Sequence, residues 1–272
     1  MNQPTTSPDQ PRIALVTGAT GAIGKAIARQ IAAAPGHQVT LVARDETKAK
    51  RAVEEISRDT GNPDVKYELT DLSRQSSIQA LAARWQGPLH VLVNNAATTP
   101  RRRQETPEGI EMQFATNVLG YFWMTLAFET ILKNTAAARV VNVASYWAGD
   151  LDLNDLEFKH HSYHNGIAYR QSKQANRMLT AAFAERLKPS GIRVNACHPG
   201  DVISNLSSDL GFGGHETPDQ GADTPAWLAL SATGGTETGK YFERRHAVRD
   251  RFTEDQKVVE ALYQTCLGYN DK

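Results

Sequence analysis

Tyr169 and Lys173, in Tyr-Arg-Gln-Ser-Lys, are residue types that can move a proton together. Four positions apart, they share one face of a helix. A free tyrosine titrates near about 10, so at neutral pH it is a reluctant acid and a poor base. A neighbouring ammonium favours the phenolate and lowers that value. A tyrosine lowered in this way exchanges protons near neutrality, as general acid–base catalysis requires. Ordinary helices carry the same spacing, so its meaning depends on the elements that position it.

Those elements alternate. Apolar, often β-branched runs at 13–17, 39–43, 65–69, 89–93, 140–144 and 192–197 read as strands. Helical patterns follow at 22–34, 46–57, 75–85, 107–132 and 167–187, the last with Ala175, Met178, Leu179, Ala182 and Phe183 on one stripe. A strand at 240–242 and a helix at 254–267 complete the chain. This alternation predicts an α/β class: a doubly wound parallel sheet of the Rossmann type, with helices on both faces. No linker composition divides 12–272, so one domain is expected, with residues 204–223 as a polar, Gly-rich substrate loop.

Bulk properties narrow the function. The chain has 272 residues, 40% of them hydrophobic, ample for a sizeable core. Thirty basic residues balance thirty acidic ones, which gives no global field for nucleic acid or a charged membrane. Cys197 and Cys266 have no zinc or redox spacing and read as reduced thiols of a cytoplasmic protein. Residues 1–11 are polar with three prolines and read as a disordered tail, not a signal peptide. No run approaches the roughly 18 apolar residues of a membrane span.

The first strand runs into Gly18-Ala19-Thr20-Gly21-Ala22-Ile23-Gly24 and then a helix. Glycines at such a junction permit a tight turn and bring backbone amides and the helix dipole close to a pyrophosphate. At the end of the second strand, where NAD-binding folds carry an acid for the ribose, stand Arg44 and then Asp45. A guanidinium suits a 2′-phosphate, which predicts NADP(H). The alternative is that Arg44 is solvated while Asp45 takes the ribose, with NAD(H), or caps the next helix.

Taken together, the motifs resemble the short-chain dehydrogenase/reductase superfamily over residues 12–270. They are the glycine turn, Asp71-Leu72, Asn94-Asn95-Ala96-Ala97, Asn117, Asn142-Val143-Ala144-Ser145, Tyr169 to Lys173, and Pro199-Gly200. Ala43-Arg44-Asp45, the long Ser145–Tyr169 insertion, Ala168 to Asn176 and His198-Pro199-Gly200 are most similar to the retinol-dehydrogenase-like group. Many members of that group carry an N-terminal membrane anchor, which this chain is expected to lack. The resemblance implies a catalytic set of Asn117, Ser145, Tyr169 and Lys173. Tyr169 would give or take the proton. Lys173 would hold the nicotinamide ribose and lower the tyrosine pKa. Ser145 would bond the substrate oxygen, and Asn117 would place a relay water. Around the cofactor, the resemblance implies Gly18, Thr20, Gly21, Ala22, Ile23 and Gly24 at the pyrophosphate. It puts Arg44 at the 2′-phosphate, Asp71 and Leu72 at the adenine, and Asn95 and Ala96 at the ribose. Pro199, Gly200, Val202 and Ser204 would meet the nicotinamide end. Ala22 and Ala97 stand where the family usually has glycine; a positive φ at Ala97 would be strained.

Other features are weighed against this reading. Arg101-Arg102-Arg103 reads as a solvated loop. His160, His161 and His164 lack the partners of a metal site and read as a polar rim to the substrate mouth; no metal is expected. Tyr146 and Trp147 either wall the pocket or pack ordinarily. Tyr121, Phe122 and Trp123 read as core or subunit contact. The expected activity is a carbonyl reductase or alcohol dehydrogenase; a non-catalytic NADP(H)-binding regulator is the alternative. By analogy with the group, the partner is a small, lipophilic carbonyl or alcohol, and the assembly a homodimer or homotetramer.

Overall fold

Period-two alternation in the strands decides which side chains meet which helices. The computed structural model describes residues 11–231 and 236–270. The expected tail at 1–11 falls almost wholly outside them. Seven parallel strands run in the order β3-β2-β1-β4-β5-β6-β7, where β1 is Arg12–Thr17, β2 His37–Ala43, β3 Val65–Leu69 and β4 Val91–Asn94. Then come β5 (Arg139–Val143), β6 (Arg193–Cys197) and β7 (Tyr241–Glu243). A short antiparallel strand, β8 (His246–Val248), closes the edge.

On one face, Val16, Leu41, Val93 and Val141 pack under α1 (Ala22–Ala32), α2 (Glu46–Thr60) and α8 (Pro218–Leu230). Their neighbours Leu15, Val42, Leu92 and Val140 point to the other face. There they meet α3 (Gln75–Arg84), α4 (Gly120–Ala127), α6 (Asn165–Leu187) and α9 (Gln256–Leu267). Tyr121, Phe122 and Trp123 belong to this second layer and are buried within the chain. Strand order reverses between β1 and β4, and a crevice opens at the carboxyl ends of the strands on either side of such a switch point.

Three elements differ from the sequence reading. The helix expected at 107–132 is instead a wider π turn (Phe114–Leu119), then α4, a break at Phe128, and α5 (Glu129–Lys133). Residues 105 and 111 pair as an isolated antiparallel bridge before it. The expected loop at 204–223 holds α7 (Asn205–Asp209) and the start of α8. Ser204 and Thr217 each cap a helix reciprocally with the residue three positions on, Ser207 and Gln220. Those capping boxes organise a stretch whose composition alone reads as loop. Strand β8 is three residues long, with an exposed start, and leaves little periodicity to read.

Candidate active site

At the switch point, β1 and β4 are stitched together just beyond their ends. The Thr17 hydroxyl accepts from the amides of Asn95 (2.8 Å) and Ala96 (3.1 Å). Asn95 Nδ2 in turn donates to the Thr17 carbonyl at 2.9 Å. Gly18 leaves the strand with φ +65°, and a Cβ there would lie 2.7 Å from Ala96 Cα. A Cβ on Gly24 would sit 2.4 Å from the Gly18 carbonyl oxygen and 2.5 Å from Asn95 Nδ2. Side chains at either place would fill the cradle through which the turn passes under α1. Gly21 is the N-cap of α1 and supplies no side-chain cap, so the helix's first amides are left for another acceptor. Ala22 sits among them and lines the cleft. Ala97 is absent from the non-glycine residues of positive φ, so its methyl group carries no backbone strain.

A cleft of about 640 Å³ opens here, within the range usual for cofactor sites. It is lined by Gly18, Thr20 to Gly24, Arg44, Asp71, Leu72, Asn95, Ala96, Tyr169, Lys173, Pro199 and Ser204. The sequence reading had not singled out Thr70, Thr98 or Ile203, which line it too. The buried Thr70 hydroxyl has no partner among the described residues. A glycine cradle, uncapped helix amides and an unpaired hydroxyl in one cleft fit a dinucleotide. Arg44 is exposed at the edge, with no ion pair among the described residues. Asp45 is occupied otherwise: its carboxylate accepts from Lys48 N at 2.9 Å and caps α2. Asp71 accepts from the amide and hydroxyl of Ser73 (3.0 and 2.7 Å), which fixes the turn after β3.

Ser145, Gly200 and Val202 do not line this cleft. They line a smaller cavity of about 30 Å³ that shares Tyr169, Pro199 and Ser204 with it. Trp147 and Phe212 close that cavity, their ring centroids 4.5 Å apart. Tyr146 does not line it but packs against two residues that do, its ring 4.6 Å from that of His198 and its hydroxyl donating to Asp201. Ser145 follows β5; its Oγ accepts from Trp147 N at 3.1 Å, and it lines the small cavity together with Tyr169. Tyr169 and Lys173 lie one turn apart on α6, both buried. Asn117 reaches neither cavity. Its side chain, fully buried in the π turn, accepts from Thr98 N (2.8 Å) and donates to Thr98 O (3.0 Å) and Ser172 Oγ (3.3 Å).

The electrostatics depart from the expectation of an acidified tyrosine. Burial pushes Tyr169 up to about 12, against the opposing hydrogen bond from Ser145 and with help from the Asp201 charge. Burial likewise pulls Lys173 down to about 7. Lys173 Nζ donates to the Val143 carbonyl at 2.8 Å and stands 5.6 Å from the Tyr169 ring centre. In a dry pocket, both charged forms lose hydration, and that loss exceeds what a half-charged lysine returns to the phenolate.

The histidines of the insertion line neither the cleft nor the small cavity. Although burial opposes it, the backbone amides of Lys159, His161 and His160 hold the Asp155 carboxylate at about 2. His161 Nδ1 lies 3.0 Å from the same carboxylate, and His164 caps α6. Arg103 donates to the Glu157 carbonyl, and Arg101 pairs with Asp209 at 3.7 Å. Both cysteines are free and buried. No described helix is long and apolar enough to cross a membrane.

Residues 12–211 match the family model described as short chain dehydrogenase. A probable oxidoreductase of Streptomyces antibioticus is 34% identical over 88% of this chain and 86% of its own length. Retinol dehydrogenase 12 of Mus musculus is 34% identical over 93% of this chain and 84% of its own. Among solved structures, the Pseudomonas aeruginosa RhlG/NADP active-site complex superposes with a TM-score of 0.68. It is 25% identical, covering 86% of this chain and 94% of that one.

Proposed function

The chain belongs to the short chain dehydrogenase family, and on that premise we propose that it is an NADP(H)-dependent oxidoreductase acting on a carbonyl or alcohol. The observation that carries this reading is convergence. Tyr169 and Lys173 from α6 line the same cleft as the glycine cradle, and Ser145, just after β5, lines the small cavity that shares Tyr169 with it. When bound there, the nicotinamide supplies or accepts the hydride.

The chain's own residues supply orientation and protons. In carbonyl reduction, negative charge grows on the substrate oxygen, and the Ser145 and Tyr169 hydroxyls are the donors placed to meet it. Ser145 Oγ accepts from Trp147 N, which fixes the hydroxyl beside Tyr169 at the small cavity. A tyrosine near 12 is fully protonated at neutral pH, the form that a proton donor needs. Lys173, near 7, is poised to return that proton. Alcohol oxidation needs the opposite form of Tyr169, so its rate should climb with pH while reduction stays flat around neutrality. Asn117 anchors the wall at Thr98, and we assign it to positioning the relay rather than touching substrate.

Arg44 and Asp45 favour NADP(H). The carboxylate that would repel a 2′-phosphate is held in the α2 cap, and the guanidinium at the cleft edge has no competing carboxylate among the described residues. Arg44→Ala should raise KM for NADPH by about 10- to 100-fold, as expected for a lost charge-assisted hydrogen bond. KM for NADH should hardly change. Equal losses with both cofactors would reject the assignment of Arg44.

The direct test is incubation of the protein with NADPH and a panel of aldehydes, ketones and quinones. Consumption with any of them supports the reductase. Tight NADPH binding without consumption across the panel would favour a regulator on this fold.

A further inference from the structure

Between the π turn and the insertion lies a buried hydrogen-bond circuit that the proton-transfer chemistry does not itself require. Gln113 has no exposed surface. Its Nε2 donates to the Tyr163 hydroxyl at 2.8 Å and to the Asn165 carbonyl at 3.0 Å. Its Oε1 accepts from Asn117 Nδ2 at 3.4 Å. Asn117 holds Thr98 by both backbone groups, and the Tyr163 hydroxyl donates to the Pro100 carbonyl at 2.8 Å. The circuit therefore grips the segment 98–100 at both ends, and Thr98 is a wall of the main cleft.

The members come from several elements. Gln113 and Asn117 are one turn apart on the helical segment before α4. Tyr163 belongs to the insertion, Asn165 opens α6 four residues before Tyr169, and Ser172 adjoins Lys173. The segment is braced from behind as well. Glu111 accepts from the amides of Gln113 (2.9 Å) and Phe114 (2.7 Å), capping the start of this turn. From the insertion, Glu157 accepts from Glu111 N at 3.1 Å, and from the Tyr269 hydroxyl of the chain's C-terminal end at 2.7 Å. Buried amides and carboxylates of this kind are costly unless every partner is present, so the circuit holds one arrangement in preference to its neighbours.

We propose that Gln113 and Tyr163 are positioning residues, a clamp that fixes the cleft wall at 98–100 and sets α6, with Tyr169 and Lys173, against Asn117. The proposal rests on the hydride-transfer reading of the site. Ser172 completes the link: it accepts from Asn117 and donates to the Tyr169 carbonyl at 2.7 Å, so a shift of the clamp reaches the helix turn that carries Tyr169. Neither residue lines the main cleft or the small cavity beside it.

Tyr163→Phe removes one hydroxyl and leaves the ring in place, and its test has two readouts. The first is amide exchange at Thr98, whose N–H is donated to Asn117 Oδ1. We expect protection there to fall at least about tenfold as the clamp opens locally. The second is kinetic: kcat should fall about tenfold or more, since small misplacements of reacting groups are costly, while KM for NADPH stays within about threefold. The melting temperature should stay near that of wild type. Gln113→Leu should give the same pattern more strongly, and adding Tyr163→Phe to it should cost little more, as for two members of one network. Wild-type exchange at Thr98 together with wild-type kcat would overturn the clamp. So would a loss appearing only in KM or in melting temperature. If the wild-type protein itself shows no turnover, the hydride-transfer reading fails, and Thr98 exchange alone then decides whether the clamp exists.

Discussion

Tyr169→Phe should leave NADPH binding within about threefold of wild type and lower kcat by about 10³-fold or more, because general acid–base groups typically contribute 10²–10⁴-fold. Tyr169 lines both the main cleft and the smaller cavity, and it shares the latter with Ser145. The ring packs as part of the buried site, and phenylalanine preserves that packing. The loss should therefore fall on the chemical step. Fluorescence titration with NADPH and steady-state rates on one preparation separate the two effects. A variant that keeps more than about a tenth of wild-type kcat would remove Tyr169 from the proton-transfer role, since that is less than the smallest usual contribution.

Lys173→Met should do two opposite things. It should cost most of the turnover, as the group that returns the proton is gone. It should also stabilise the protein without ligand. Burial holds Lys173 near 7, well below the ordinary lysine value of 10.5, which marks its ammonium as unwelcome in this pocket. That depression corresponds to several kcal/mol, roughly 3–5, of destabilisation at and below neutral pH. Methionine fills similar space without a charge. The Val143 carbonyl that Lys173 bonds keeps another donor, the Tyr121 hydroxyl at 3.3 Å.

The sign of the pH dependence follows. Between pH 7 and 10.5 the unfolded chain binds a proton at Lys173 that the folded chain does not, so wild-type stability should rise with pH across that window. Below pH 7 both states are protonated and the penalty is constant. Above pH 10 the trend is opposed: Tyr169, held at about 12 when folded, ionises more readily once unfolded. Melting curves from pH 6 to about 9.5 should rise for wild type and stay flatter for Lys173→Met, with a variant at neutral pH more stable by about 5 °C. A variant less stable than wild type throughout would show that Lys173 is held favourably, and that its charge is not suppressed by burial.

Much of this was legible in the residues, for reasons that differ by element. Strands β1 and β4 carry continuous apolar runs, Ile13 to Val16 and Val91 to Val93, because both faces of the sheet are covered, and such runs announce themselves. The glycine turn was readable because Gly18 and Gly24 are forced: backbone and side-chain atoms fill the space that a Cβ would take. The π turn was not readable, since Phe114 to Leu119 are all buried and carry no breaker that distinguishes them from an ordinary helix. Gln113 went unnoticed for a related reason. Its importance lies in partners 50 and 52 positions away, Tyr163 and Asn165, and no local spacing records them. The capped helices at 205–209 and 218–230 did leave a signal, in Thr217-Pro218-Asp219-Gln220, which composition obscured. The Tyr169–Lys173 pair stood out by its spacing, but its electrostatics did not. How dry the pocket is depends on the full three-dimensional packing around Tyr169 and Lys173.

The central claim is that the cleft and the Ser145–Tyr169–Lys173 cluster form one NADP(H)-dependent hydride-transfer site. Its most direct test is nicotinamide absorbance during incubation of wild type and Tyr169→Phe with NADPH or NADH and a panel of aldehydes, ketones and quinones. The predicted result is NADPH consumption by wild type with at least one carbonyl, slower use of NADH, and near-complete loss in the variant. Tight NADPH binding with no consumption by wild type anywhere in the panel, or equal consumption by the variant, would contradict it.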